Sequence, residues 1–215
     1  MAEGRTLLFW LAASYLLGAI PTSYLVGRML AGIDLRQQGS RNLGATNVYR
    51  VLGWKYAIPV ALFDVAKGAV PVLFFGRQVV GIPIFPVLCG VTAVLGHVYS
   101  VFVGFKGGKG VATAGGVVIA LAPLALLVVL PVWIVTVWAT GYVSLGSIAA
   151  AALFPVADWL LHPARRGPAT LALDLGLAAF IIWKHRANIE RLLSGRENRF
   201  GKHRSATAPP TPPPA

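Results

Sequence analysis

Apolar stretches of membrane-crossing length recur along this chain, at about 6–30, 56–75, 79–103, 111–140, 143–161 and 169–184. Roughly 20 helical residues cross a hydrocarbon core of about 30 Å, so the fold class expected is an all-α polytopic membrane protein with short loops between its helices. Composition points the same way: 56% of the 215 residues are hydrophobic and only 12% charged, against about a quarter charged in soluble domains. In a soluble chain a net charge of +12 would suggest nucleic acid. Here Lys and Arg gather in the segments between apolar stretches, where they set orientation, and no nucleic-acid partner is expected. The first apolar stretch runs on to about Leu30, longer than a signal-peptide core and without a cleavage site before its end, so it is read as a retained span. The lone cysteine, Cys89, lies in an apolar run; an internal disulfide and a cysteine metal site are both excluded.

Six crossings is the minimum. The stretch 111–140 contains Pro123 and Pro131 and is long for one pass and short for two full ones, which leaves one span or two short ones. Charge decides for about seven. With seven, Arg36, Arg41, Arg50 and Lys55, then Lys106 and Lys109, then the basic C-terminal segment from Lys184 to Arg204 share one face, and Arg5, Arg77, Arg165 and Arg166 lie opposite. By the positive-inside rule the N-terminus is then periplasmic and the C-terminus cytoplasmic. A single membrane domain over 1–202 is expected, followed by a disordered Pro/Ala-rich tail over 203–215.

Three connecting segments carry chemistry. The segment 39–50 holds Gly39, Ser40, Arg41, Asn42, Gly44, Thr46, Asn47 and Arg50, a dense set of donors for an oxygen-rich anion, and arginine grips phosphate bidentately. An ordinary polar loop with a helix cap would look similar. The segment 105–116 holds Lys106, Gly107, Gly108, Lys109 and Gly110; glycines let backbone N–H groups converge on a phosphate while lysines supply charge. It is not a nucleotide-hydrolysing loop, since Val103 stands where that motif needs glycine and Gly110 where it needs Ser or Thr for magnesium. A glycine bend for close helix packing is the plainer account. The segment from Lys184 places His185 and Asn188 three residues apart on one helix face, although alone it also reads as a basic stretch resting on anionic lipid. Asp64 and Lys67 share a face inside the second span, where charge is costly: a functional pair or a self-neutralising structural one. His97 is read as interfacial, and His162 and His203 as belonging to no constellation.

The strings Ser-x-Asn-x-Gly-Ala-Thr-Asn over 40–47, Phe-Lys-Gly-Gly-Lys-Gly-Val-Ala-Thr over 105–113 and the segment from His185 to Glu197 together resemble the three cytoplasmic motifs of the bacterial acyl-phosphate:glycerol-3-phosphate acyltransferase family. The segments 64–68 and 142–147 resemble family segments as well. The resemblance covers about residues 5 to 202. It implies a seven-helix enzyme of the inner membrane that moves a fatty acyl group from acyl phosphate to the 1-hydroxyl of sn-glycerol 3-phosphate, giving lysophosphatidic acid and phosphate in the first acylation of phospholipid synthesis. Acyl-CoA and acyl carrier protein are not donors in that family. By position it implies catalytic roles for His185, Lys109 and Ser40. It implies binding or catalytic roles for Thr46, Arg50, Ser147 and Asn188 as well, and with the loop chemistry above substrate binding is expected also of Asn42, Gly44, Asn47, Lys106, Gly107, Gly108 and Gly110. No metal or other cofactor is expected, and the partners are the two substrates, the bilayer and the peripheral enzyme that makes acyl phosphate. The sequence departs from the family at Arg41, where glycine is expected, at Ala187, where glutamate is common, and at Gly141, where a basic residue usually stands.

Acyl phosphate has a good leaving group, so direct attack by the glycerol hydroxyl needs no covalent intermediate, and the sequence shows no Ser-His-Asp set to make one. Either His185 or a substrate phosphate takes the proton. The alternative reading is a transporter or channel for a phosphorylated solute. Transporters place polar residues at mid-membrane in repeated halves, whereas here polar density lies on one side and no repeat appears.

Overall fold

The computed structural model describes residues 2–200; His203 and the expected boundary at 202 and 203 lie outside the described residues. Among the described residues ten α-helices follow one another: α1 (Ala2–Ala19), α2 (Thr22–Ala31), α3 (Ala45–Leu52), α4 (Trp54–Val70), α5 (Phe85–Val98), α6 (Val111–Leu121), α7 (Pro123–Thr140), α8 (Val143–Leu161), α9 (Pro168–Lys184) and α10 (Arg186–Leu193). Among the described residues five helical segments have the length and apolarity of a full crossing: 4–31, 54–78, 85–103, 123–140 and 143–161. At 1.5 Å per residue the 11-residue α6 spans only about 16 Å and the 17-residue α9 about 26 Å, each short of a hydrocarbon core of about 30 Å. Against the expected seven, five helical segments among the described residues have full crossing length, and α6 and α9 are shorter apolar helices.

Prolines explain the breaks. Pro21 has no N–H and ends α1 at the Ile20 carbonyl, which Lys67 Nζ then caps at 2.8 Å. At 111–140 the break falls at Ala122, forced off helical geometry (φ −142°, ψ 60°) by Pro123, while Pro131 stays inside α7. The stretch left open in the sequence is two helices.

α1 packs on α5, α4 on α6, and α7 on α8, which also meets α9. Where α4 crosses α6 the backbones touch: a Cβ on Gly68 would stand 2.0 Å from the Thr113 carbonyl oxygen, and one on Gly116 1.9 Å from that of Val65. Small residues of this kind let helices approach where no hydrophobic force separates helix from lipid. The loops 99–110, 141–142 and 194–200 meet at one end of the bundle, because the Phe200 N–H donates to the Gly141 carbonyl at 2.6 Å and Lys109 reaches α10. A six-crossing arrangement would have put the C-terminal segment at the opposite end from the glycine loop.

Candidate active site

The polar end opens into a cavity of about 780 Å³ that descends between α6, α7, α8 and α9. Its mouth is lined by Ser40, Thr46, Arg50, Lys109, His185 and Asn188, and its depth by apolar side chains such as Val118, Leu126, Val129, Phe154 and Leu177. Five cations face it, Arg41, Arg50, Lys109, Lys184 and Arg191, against two carboxylates, Asp64 and Glu197.

Gly110, with φ +81°, turns the chain into α6 in the left-handed conformation that favours glycine. The N-terminus of α6 thus opens on the cavity with Val111 and Ala112 in its wall; the first N–H groups of a helix have no partner within it, and the dipole favours an anion there. Lys109 Nζ donates to Asn188 Oδ1. The other side of that amide, Nδ2, donates to Glu197 Oε1 at 2.7 Å, and the same carboxylate accepts from Ser144 Oγ at 3.1 Å and Arg191 Nε at 2.8 Å. Glu197 therefore holds the end of α8, α10 and, through Asn188, Lys109. Burial pushes the Lys109 ammonium down to about 8, against the opposing pull of Glu197.

His185 sits at the junction of α9 and α10 with 2% exposure. Its Nδ1 lies 2.8 Å from the Ile181 carbonyl, which accepts only, so Nδ1 carries hydrogen and Nε2 keeps its lone pair in the neutral ring. Burial, reinforced by the Lys109 charge, pushes its pKa down to about 4. Arg50 Nη2 donates to the Asn198 carbonyl at 3.4 Å, while its Nε is buried without a partner, a cation with a donor to spare for an anion.

The expected site residues separate into two groups. Ser40, Asn42, Gly44, Thr46, Asn47, Arg50, Lys109, Gly110, Ser147, His185 and Asn188 all line the cavity. Lys106 instead is exposed and off it. The phosphate-cradling amides expected of Gly107 and Gly108 donate to the Val98 and His97 carbonyls at 3.1 and 3.2 Å; these two glycines are packing elements. Asn47, 0% exposed, uses its amide to clamp its own loop, accepting from the Ser40 N–H at 2.7 Å and donating to the Leu35 and Gln38 carbonyls at 3.1 Å. It shapes the first loop by these bonds. Ser147 Oγ is shared between the Val143 carbonyl and the Trp133 indole, deeper in the wall.

Nothing in the sequence alone singles out Glu197, Arg191 and Ser144, although all lie in strings that resemble family segments; their role depends on contacts across up to 53 residues. His97, at the end of α5, is buried in the cavity wall. His162 does have a constellation, with Nδ1 3.0 Å from Asp158 Oδ1 beside Arg165 and Asp174. The missing basic side chain at Gly141 is replaced in space: Arg199 runs 3.6 Å from where a Cβ on Gly141 would stand, and its Nε donates to the Tyr142 hydroxyl at 3.2 Å.

A family model described as glycerol-3-phosphate acyltransferase matches residues 8–195. A glycerol-3-phosphate acyltransferase of Chlorobaculum parvum is 44% identical, the match covering 92% of this chain and 98% of that protein. A crystal structure of PlsY, an integral membrane glycerol 3-phosphate acyltransferase, in its glycerol 3-phosphate form superposes with a TM-score of 0.82 at 44% identity, over 91% of this chain and 96% of that one. Its lysophosphatidic acid form gives 0.79 at 43% identity, over 91% and 95%.

Proposed function

The chain belongs to the glycerol-3-phosphate acyltransferase family, and from that premise we propose that its cavity joins a fatty acyl phosphate to sn-glycerol 3-phosphate, giving lysophosphatidic acid and phosphate. The observation that carries this reading is a mouth rich in cations set directly above an apolar cavity, which suits two anionic headgroups and one acyl chain. Lys109 and the N-terminus of α6 bind one phosphate; Arg50, with Ser40 and Thr46, binds the other. Held side by side, the substrates gain the effective molarity of an intramolecular reaction.

The glycerol 1-hydroxyl oxygen attacks the acyl carbonyl carbon, a C–O ester bond forms as the C–O bond to phosphate breaks, and phosphate leaves. His185 Nε2, neutral and with its lone pair free, accepts a hydrogen bond from the attacking hydroxyl and aligns it. With a pKa of about 4 it is a weaker proton acceptor than a phosphate group, whose second pKa is about 6, so the proton ends on phosphate. The cations offset charge gathering on the phosphoryl oxygens.

Purified protein supplied with acyl phosphate and glycerol 3-phosphate, without metal or nucleotide, tests the donor; product from acyl-CoA but none from acyl phosphate would reverse it. The polar end faces the cytoplasm of a bacterial inner membrane and the N-terminus the periplasm, by the charge asymmetry of the loops. Labelling by an impermeant thiol reagent of a cysteine placed at Gly195, in a Cys89-free background in intact cells, would reject that orientation.

A further inference from the structure

Asp64, Lys67 and His97 form a buried polar group that the acyl-transfer scheme leaves unused. Lys67 Nζ lies 2.8 Å from Asp64 Oδ1, and Thr22 Oγ1 donates to the same oxygen at 3.1 Å. The pair is almost inaccessible, with side-chain exposures of 1% and 2%, and its opposite charges offset each other. Lys67 also caps Ile20 at the Pro21 break, so the pair ties α4 to the break between α1 and α2.

His97 is the next layer outward. Its Nδ1 is buried without a hydrogen-bond partner, 3.8 Å from Asp64 Oδ1. Its Nε2 faces the glycine loop so closely that a Cβ on Gly108 would stand 2.2 Å from it. The His97 carbonyl accepts the Gly108 N–H as well. Beneath the loop Thr22, Ser23, Lys67 and His97 help wall a chamber of about 10 Å³, so without the imidazole the loop would rest on a void. Lys109 is the next residue, and its ammonium has to meet both Asn188 and a phosphate.

We infer that His97 is a positioning residue for Lys109: braced by the Asp64–Lys67 pair, its imidazole sets the height of the backbone at Gly107 and Gly108 and so the place at which the ammonium meets phosphate. The inference rests on the reading of Lys109 as a phosphate-binding cation, and its test separates the two.

The test is a double-mutant cycle on purified full-length protein, with His97→Asn, Lys109→Ala and the double variant compared in kcat/KM for glycerol 3-phosphate and for acyl phosphate. His97→Asn keeps a polar group toward Asp64 and withdraws the support under Gly108. It is expected to cost roughly ten- to a hundredfold alone, as sub-ångström to ångström displacements of catalytic groups do, and less than about threefold when Lys109 is already alanine. His97→Gln, whose amide extends to about the Nε2 position, should retain more activity than His97→Asn. Equal losses with and without Lys109 would mean that His97 supports the fold at large, and would overturn the inference. Near-wild-type activity of folded His97→Asn would overturn it too, leaving the Lys109 reading intact. Near-wild-type activity of Lys109→Ala would remove the Lys109 reading and this inference with it. Should His97→Asn not fold, His97→Gln through the same cycle decides, loss only in the presence of Lys109 supporting the inference.

Discussion

Lys109 and Asn188 are joined by a hydrogen bond across 79 residues of sequence, so the ammonium of the glycine loop is aimed by an amide on the last short helix. That amide is itself fixed by Glu197. Replacing Lys109 by Ala removes a preorganised cation, at an expected cost of about 2–4 kcal/mol, or roughly 30- to 1,000-fold in kcat/KM. Replacing Asn188 by Ala leaves the ammonium unaimed and one carboxylate oxygen of Glu197 short of a partner, for about 1–3 kcal/mol. The two losses should fall well short of additive. Initial rates on monodisperse protein check this, and full additivity would mean that Asn188 does not act through Lys109.

Gly108→Ala is expected to fail by packing. A Cβ there meets the Leu43 carbonyl oxygen at 2.2 Å as well as the His97 ring, and backbone does not yield cheaply. Stability should fall by about 1–3 kcal/mol, with activity falling alongside. Gly176→Ala, where a Cβ meets nothing within 4 Å, should instead be neutral or gain up to about 1 kcal/mol in its helix. Thermal unfolding in detergent distinguishes them; equal melting temperatures for the two variants would contradict the packing account.

Arg41 adopts φ 59°, the left-handed region, without being glycine. Its backbone explains the glycine expected there. Arg41→Gly relieves roughly 1–2 kcal/mol of strain and adds about 0.5–1 kcal/mol of unfolded-state entropy, so stability should rise slightly, by about 1 kcal/mol or less. A lowered unfolding midpoint would show that the guanidinium's contacts outweigh the strain.

Activity should carry a basic limb. The free enzyme's Lys109 titrates at about 8; its charge is present below that pH and lost above it. Hence kcat/KM should decline as pH rises through about 8, while kcat holds to higher pH because bound phosphate stabilises the ammonium. His185, at about 4, is neutral throughout the range from 6 to 9 and contributes no limb there. Measuring between 7 and 9 keeps the substrate phosphates dianionic. A flat kcat/KM profile up to 10 would contradict the placement of Lys109 in a buried site.

Local chemistry made much of this protein readable in one dimension. Continuous apolarity determines membrane helices because lipid leaves backbone groups no other partner, Pro21 and Pro123 mark breaks because each lacks an N–H, and loop cations follow from the orientation rule. The strings around Ser40, Lys109 and His185 likewise contain residues that line one cavity. Tertiary structure decided which donors were free. Gly107, Gly108 and Asn47 looked like ligands because residue type records capacity for hydrogen bonding, and folding had already committed their polar groups to the chain. Glu197 looked like one charge in a basic tail until α8 and α10 closed on it. The same holds for Arg199 over Gly141 and for the His97 ring under Gly108: two segments far apart in sequence share one small volume, and only packing of the helices specifies which.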